Sequence, residues 1–268
     1  MSSTAASALC LWGVSAAPTD EILSAWRWHG PRAGVRWMGG EHAPDADPSV
    51  AALPGSGAAS GSTAVLLPLL RDQRPELVLP RAGDLRGLPV DQPFLREAAL
   101  SAGAAVVLPD RGVTIVAVDE QWRVWPGAAT QPPLDAPAVR DELDEAVDRA
   151  ALMFARHELG IDALDARRSV LDHQDRLTFA LPPGTPSRAA ALLERAVTLE
   201  AILAVAGRDR SAAVTAVEGA RVDAALAPLA AVARDARKVA VQLAVREFSR
   251  VGEHRHADER RPARDRTG

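Results

Sequence analysis

The spacing of apolar residues changes near residue 130, and this change constrains the fold more than any other feature of the sequence. Before that point, short apolar runs such as AAVVLP and VTIVAV alternate with turn-forming residues. Beyond it, apolar residues recur every three or four positions over long stretches. The first pattern is typical of short strands and the second of amphipathic helices. The sequence therefore predicts an α+β protein, with a strand-containing N-terminal half and a helical C-terminal half.

The N-terminal half, which holds all six tryptophans, predicts a small antiparallel sheet with one packed helix over residues 63–126. TAVLLPLL and PELVLP flank RDQR and predict a hairpin. PFLREAALSAG predicts a helix that begins at Pro93 and stops at Gly103. AAVVLP, VTIVAV and QWRVW follow at distances that suit an antiparallel meander.

The C-terminal half predicts an α-helical bundle. One helix runs from Pro137 to about Leu159, with Gly160 as its stop, and a second covers residues 187–207. A third holds a 3-4 pattern from Val222 to Leu243, and Pro228 either kinks it or begins its second segment. We therefore predict an N-terminal domain over 1–126 with a flexible loop at 53–63, a Pro/Gly-rich linker at 125–137, a helical domain over 137–252, and a disordered tail over 253–268.

Composition excludes several classes of protein. The formal net charge of −4 makes nucleic acid an unlikely partner, because the chain as a whole does not attract phosphate. Cys10 is the only cysteine, which rules out an internal disulfide and a cysteine-based zinc site. We expect it to lie in an apolar strand. No window approaches about 18 uninterrupted apolar residues. We expect a cytoplasmic protein without a membrane segment, a cofactor or a metal, whose oligomeric state the sequence leaves open.

Three stretches resemble a known family. VLPRAGDLRGLP, AALSAGAAVVLP and SAAVTAVEGARVDAALAPLAAVARDARKVAVQLAV are similar to a family of uncharacterised proteins of actinobacterial type. The resemblance covers roughly residues 64–247. It implies the two-part architecture and no activity.

The loop Gly83-Asp84-Leu85-Arg86-Gly87 is the first candidate site. It lacks the Gly-Lys-Ser/Thr of a P-loop and the third glycine of a dinucleotide fingerprint. Leu88-Pro89 and Gln92-Pro93 also separate it from the next helix. We interpret it as a paired turn in which both glycines have positive φ and Asp84 bonds backbone amides. An anionic small molecule bound by Gly83, Asp84, Arg86 and Gly87 is the alternative.

WRWHGPRAGVRW, residues 26–37, is the second candidate, because it combines tryptophans and arginines without an acid. If the stretch is extended, Trp26 and Trp28 share a face and Arg27 points away. Such a surface can stack bases or hold an anion. A strand that buries tryptophan and exposes arginine gives the same pattern. The interaction residues predicted here are Trp26, Trp28, Arg32 and Arg36.

A third stretch gathers histidines and acids without a recognised metal-ligand spacing. Its members are His157, Glu158, Asp162, Asp165, Asp172, His173 and Asp175. Asp162 is interpreted as a helix N-cap, with Asp165 in the first turn. His157 is interpreted as a packing residue of its helix, so no metal ligand is predicted.

No catalytic set emerges, so we expect a non-enzymatic interaction or regulatory protein. Its partner is a protein, such as an ATPase or a filament-forming protein of the kind that acts in chromosome partitioning. The outer faces of the last helix, around Arg234, Arg237 and Arg246, are a further candidate surface. Two alternatives stay open: an enzyme or sensor that binds an anionic small molecule near the Gly83–Gly87 loop, and a weak nucleic-acid binder through residues 26–37.

Overall fold

Residues 2–40, 47–54, 61–156, 163–208 and 216–259 are described by the structure, a computed structural model. The chain forms two units, each described separately below. The N-terminal unit contains residues 2–131, 181–186 and 242–268, and the helical unit contains residues 132–180 and 187–241. The division between Gln131 and Pro132 lies within the Pro/Gly-rich segment 125–137.

The N-terminal unit is an α+β structure, as the sequence predicts. Its helices are α1 (Ser2–Val14), α2 (Thr19–His29), α3 (Pro48–Ala51), α4 (Leu66–Leu70) and α5 (Pro93–Ala102). Its strands are β1 (Val35–Trp37), β2 (Glu76–Val78), β3 (Ala105–Leu108), β4 (Val113–Val118) and β5 (Gln121–Pro126).

The five strands form one mixed sheet in the order β1-β5-β4-β3-β2. The predicted meander is confirmed, since β3, β4 and β5 pair antiparallel in succession. β2 pairs antiparallel with β3. β1 lies at the end of the stretch 26–37, for which a strand is one interpretation, and it joins parallel to β5 with Val35 opposite Trp122.

The hairpin predicted around RDQR is wrong, because TAVLLPLL is helical. Thr63–Val65 forms a 3₁₀ turn, and α4 follows it directly. Ser62 caps the turn, since its Oγ accepts a hydrogen bond from Ala64 N at 3.2 Å. Four leucines of α4 are buried, and a short apolar run of this kind fits a buried helix as well as a strand.

Helices lie on both faces of the sheet. On one face, Leu95 and Ala99 of α5 join a core with Val107, Val116 and Trp125 of the strands. The predicted helix is confirmed here: it begins at Pro93 and ends before Gly103, which has a φ of 73°. On the other face, α1 packs against β2, β3 and β4.

Cys10 lies in α1 and not in a strand, which corrects the sequence-based assignment. Leu9, Cys10, Leu11 and Trp12 are consecutive and all buried. A helix that is surrounded by protein has no polar face, so its sequence loses the 3.6-residue period that identifies a surface helix. Burial also raises the pKa of the Cys10 thiol, which stays protonated at neutral pH.

The helical unit consists of α6 (Ala136–Arg156), α7 (Ala163–Leu177), α8 (Ser187–Arg208) and the first part of α9 (Ala216–Glu259). The helices predicted from Pro137 and over 187–207 are confirmed as α6 and α8; His157 and Gly160 lie outside the described residues. Pro228 lies inside α9, which continues through it. The predicted apolar stripe is most deeply buried at Ala236 and Val239, which expose 0% and 1% of their surface.

The last helix is longer than the sequence predicts. α9 continues to Glu259, so residues 253–259 are helical where we expected a disordered tail. Extending an existing helix costs far less than starting one, because each added residue gains one hydrogen bond. Arg74 also pairs with Glu253 at 2.7 Å within the N-terminal unit. Residues 260–268 lie outside the described part of the chain.

Candidate functional site

The beginning of the stretch 26–37 is not extended, because its first four residues complete α2, and only Val35–Trp37 at its end form a strand, β1. The helix carries Asp20 and Glu21 in its first turn, where the helix dipole favours acids. Gly30 ends it, and its N–H donates to the carbonyl of Trp26 at 2.8 Å. A Cβ atom at Gly30 would lie 2.7 Å from the ring of Trp122. Glycine therefore allows α2 to end against the sheet.

The helical conformation separates the two tryptophans that we expected to share a face. Residues two apart on a helix point in different directions, whereas in a strand they point the same way. Trp26 exposes 1% of its surface and belongs to the core, whereas Trp28 exposes 77%. The prediction that Trp26 is an interaction residue is therefore wrong. Trp28 is available at the surface.

A cleft of about 740 Å³ lies beside Trp28. One wall comes from α2 and the following turn, and the other from the segment before α4. The lining residues are Leu23, Ser24, Arg27, Trp28, Pro31, Arg32, Ala33, Gly34, Gly61, Ser62, Thr63 and Ala64. We call this feature the arginine–tryptophan cleft.

Backbone hydrogen bonds hold the two walls together. Val35 and Gly61 form a bridge, with N–O distances of 2.9 and 3.0 Å. Ala33 N donates to the carbonyl of Glu120 at 2.7 Å, and Trp122 N donates to the carbonyl of Gly34 at 2.9 Å. Since these bonds tie the loop to the sheet, the cleft is positioned by regular structure.

The cleft is positively charged. The described residues that line it include two arginines and no acid. Arg27 and Arg32 are exposed, and neither forms a hydrogen bond or an ion pair with any described residue. The hydroxyls of Ser24 and Thr63 are likewise without a partner among the residues that the structure describes. The cleft therefore presents cationic and neutral donors that no described residue engages.

His29 follows Trp28 in the last turn of α2 and adds no charge at neutral pH. Its ring is partly buried, and this burial lowers the pKa of the imidazole. Arg36 lies in β1 and is half-buried, and its Nε atom is out of contact with solvent. Of the predicted arginines in this stretch, Arg32 reaches the cleft, and Arg36 is not among the lining residues.

The Gly83–Gly87 loop has the paired-turn geometry that the sequence predicts. Gly83 and Gly87 have φ values of 83° and 86°. Arg81 and Asp84 exchange backbone hydrogen bonds of 3.0 and 2.9 Å across the first turn. Asp84 accepts a bond from the backbone N–H of Arg86 at 3.3 Å and two from its guanidinium at 2.8 and 2.9 Å. The two charged side chains thus bind each other, and ligand binding by this loop stays a prediction.

Arg237 is wrongly predicted as a surface residue. Its side chain is completely buried, and its guanidinium binds the carboxylate of Glu200. The small alanines around it let neighbouring elements pack closely on α9. The helix is therefore buried at Arg237 as well as along the single stripe that its apolar pattern indicates. Arg234 is half-buried and Arg246 is exposed, so Arg246 is the member of this set that lies at the surface.

The acid- and histidine-rich stretch lies partly outside the described residues. His157, Glu158 and Asp162 are outside them, and Asp172, His173 and Asp175 belong to α7. The ring of His173 contacts the guanidinium of Arg176 at 2.7 Å. Within the described ranges, no three His, Cys, Asp or Glu side chains are grouped to hold a metal ion. Nor is any described helix both long enough and apolar enough to cross a bilayer.

Two family models match the chain. Residues 6–138 match "Rv1486c-like protein, N-terminal domain", and residues 137–238 match "Rv1486c-like protein, C-terminal domain". Together they cover more than half of the sequence. Neither the curated proteins nor the solved structures contain a match to this chain.

Proposed function

We propose that this chain, which belongs to the Rv1486c-like protein family, is a non-enzymatic interaction protein that binds an acidic segment of a partner protein. The binding site is the arginine–tryptophan cleft. The observation that carries the proposal is a concave surface whose described lining has no acid, in which Arg27 and Arg32, without a partner among the described residues, lie beside the exposed Trp28.

The composition of the cleft favours protein binding. Tryptophan and arginine dominate the energetics of protein interfaces, because they combine large apolar area with directional hydrogen bonds. Trp28 leaves 77% of its surface in water, and covering that area with a partner is favourable. Guanidinium groups bind carboxylates through two parallel hydrogen bonds. An acidic segment would therefore be held by charge and packed on the indole.

The cleft is less suited to catalysis. Its described lining residues include no Asp, Glu, His or Cys, and an arginine does not give up its proton in a protein. General acid–base chemistry therefore has no titratable group there. The proposal extends to a cytoplasmic partner, such as an ATPase or a filament-forming protein, provided that this partner presents an acidic segment.

Charge reversal in the cleft tests the proposal. We would express tagged wild type and an Arg27→Glu/Arg32→Glu variant in native cells, cross-link, and quantify the proteins that co-purify. A matched control is Arg71→Glu/Arg81→Glu, which makes the same change in net charge at two exposed positions outside the lining. The expected result is a partner that wild type and control recover and the cleft variant loses.

Two results would contradict the proposal. One is equal recovery of every partner by wild type and the cleft variant. The other is recovery of nucleic acid whose binding falls steeply with salt, as phosphate-backbone contacts require.

A further inference from the structure

We infer that the acidic group bound in the arginine–tryptophan cleft is a phosphorylated side chain of the partner, a phosphoserine or phosphothreonine. This inference rests on the proposed function, because it specifies the chemistry of the partner at the same cleft. It is carried by the charge, the hydrogen-bond donors and the size of the cleft.

The charge of the cleft matches a phosphate monoester. Arg27 and Arg32 contribute two positive charges, and no acid among the described lining residues offsets them. A phosphorylated side chain carries about −1.5 to −2 at neutral pH, whereas a carboxylate carries a single negative charge. A dianion is therefore balanced by the two arginines without opposition from a neighbouring carboxylate.

The donors of the cleft also exceed what one carboxylate accepts. Each guanidinium can direct two parallel N–H groups at an anion. Ser24 on α2 and Thr63 on the opposite wall add two hydroxyls that no described residue engages. A phosphate monoester has three strongly accepting terminal oxygens, so it can use donors from both walls at once. Ser62 also lines the cleft; its oxygen accepts the N–H of Ala64, and its O–H is a further donor on that wall.

The size of the cleft indicates a segment and not a free ion. A volume of about 740 Å³ lies in the range of sites that hold organic ligands and is far larger than one phosphate group. Trp28 borders this volume with an exposed indole. The residues on either side of the phosphorylated one would pack against it.

Direct titration tests the inference with small probes. The probes are N-acetyl-phosphoserine amide, N-acetyl-glutamate amide and inorganic phosphate, each titrated into the full chain by calorimetry. We expect the phosphoserine derivative to bind more tightly than either of the others. Arg27→Gln/Arg32→Gln should weaken its binding by at least about tenfold, as the loss of charge-assisted hydrogen bonds implies. Ser24→Ala/Thr63→Val should weaken it less, and Arg71→Gln/Arg81→Gln should leave it unchanged.

Phosphatase treatment of the captured partner separates the inference from the proposed function. Loss of binding to wild type after dephosphorylation supports both. If the dephosphorylated partner still binds wild type and loses binding to Arg27→Glu/Arg32→Glu, the cleft takes an unphosphorylated acidic segment and the inference is wrong. If neither treatment nor variant changes binding, the proposed function is wrong as well. Inorganic phosphate binding as tightly as the phosphoserine derivative would overturn the inference in favour of a free-anion site.

Discussion

Arg237 of α9 donates two hydrogen bonds to Glu200 of α8, at 2.9 and 2.6 Å, from a guanidinium that is completely buried. The carboxylate keeps 18% of its side chain exposed, so solvent reaches one side of the pair. The Nη1 atom of Arg237 has no partner among the described residues. The pair joins two helices of the helical unit at a defined register.

Removing one member of this pair should be more harmful than removing both. Glu200→Leu leaves a buried guanidinium without a counter-charge, which costs about 3–5 kcal/mol in comparable cases. Arg237→Met/Glu200→Leu replaces the pair with apolar groups and should recover most of that loss. Urea denaturation of wild type, Glu200→Leu, Arg237→Met and the double variant measures the coupling. A double variant destabilised by the sum of the two single losses would show that the pair is not coupled.

The two glycines of the Gly83–Gly87 loop should differ in their tolerance of alanine. Both have positive φ, so each Gly→Ala change should cost about 1–2 kcal/mol. A Cβ at Gly83 meets nothing within 4 Å, whereas one at Gly87 would lie 2.5 Å from the side chain of Gln131. We therefore expect Gly87→Ala to be the more destabilising variant in thermal melts.

Shortening the side chain at Gln131 is the matched control for that difference. Gly87→Ala combined with Gln131→Ala should be less destabilised than the sum of its parts, because the clash is relieved. Strict additivity of the two changes would indicate that the backbone conformation alone decides the cost.

Trp26 and Trp28 should give opposite phenotypes. Trp26→Ala empties a core position and should destabilise the N-terminal unit by about 3–5 kcal/mol. Trp28→Ala changes an exposed side chain and should alter the unfolding free energy by less than about 0.5 kcal/mol. It should instead weaken binding of the partner. Denaturation and quantitative co-purification of the two variants separate these effects. A folded Trp28→Ala variant that binds the partner as wild type does would show that the indole does not contribute to binding.

Asp47 should make stability depend on pH in the acidic range. Hydrogen bonds from Ser49, followed by the nearby Arg111, lower the pKa of this carboxyl below its ordinary value. A lowered pKa in the folded state stabilises the protein above the unfolded pKa, and the effect is lost as pH falls through the folded one. The Tm of wild type should exceed that of Asp47→Asn by its full amount above about pH 5, and this difference should shrink as the pH falls below about 4.

Asp91→Asn provides the comparison for Asp47. It removes the same charge at an exposed position that has no described partner. Its Tm should follow that of wild type through the same pH range. A gap between wild type and Asp47→Asn that persists unchanged at low pH would mean that the ionised carboxylate is not the stabilising species.

The sequence predicts those elements whose signals are local. α5 lies between Pro93 and Gly103, and strands β3 to β5 are separated by short turns. The ends of these elements are therefore marked by residues that are neighbours in the sequence. β1 and α1 lack such signals. β1 has three residues and pairs with a strand more than eighty positions away. α1 is apolar on all sides, so its pattern does not distinguish a helix from a strand.

One wall of the arginine–tryptophan cleft is recognisable in the sequence and the other is not. Arg27, Trp28 and Arg32 stand out because aromatics and arginines alternate without an acid. Ser62 and Thr63 fall at the end of a Gly/Ser-rich stretch that resembles a flexible loop. The bridge between Val35 and Gly61 brings them to the cleft, and long-range pairing of this kind has no local signal.

The position of α1 in the N-terminal unit has a consequence for how the chain folds during synthesis. The ribosome makes this helix before β2, β3 and β4, the strands against which it packs. Until those strands emerge, the apolar sides of Leu9, Leu11 and Trp12 lack the surface that buries them in the finished unit. The same unit also takes in residues 181–186 and the chain from Gln242 onward. The apolar residues of α1 are therefore covered only after later segments have been made, and in that interval the helix is a natural substrate for a chaperone.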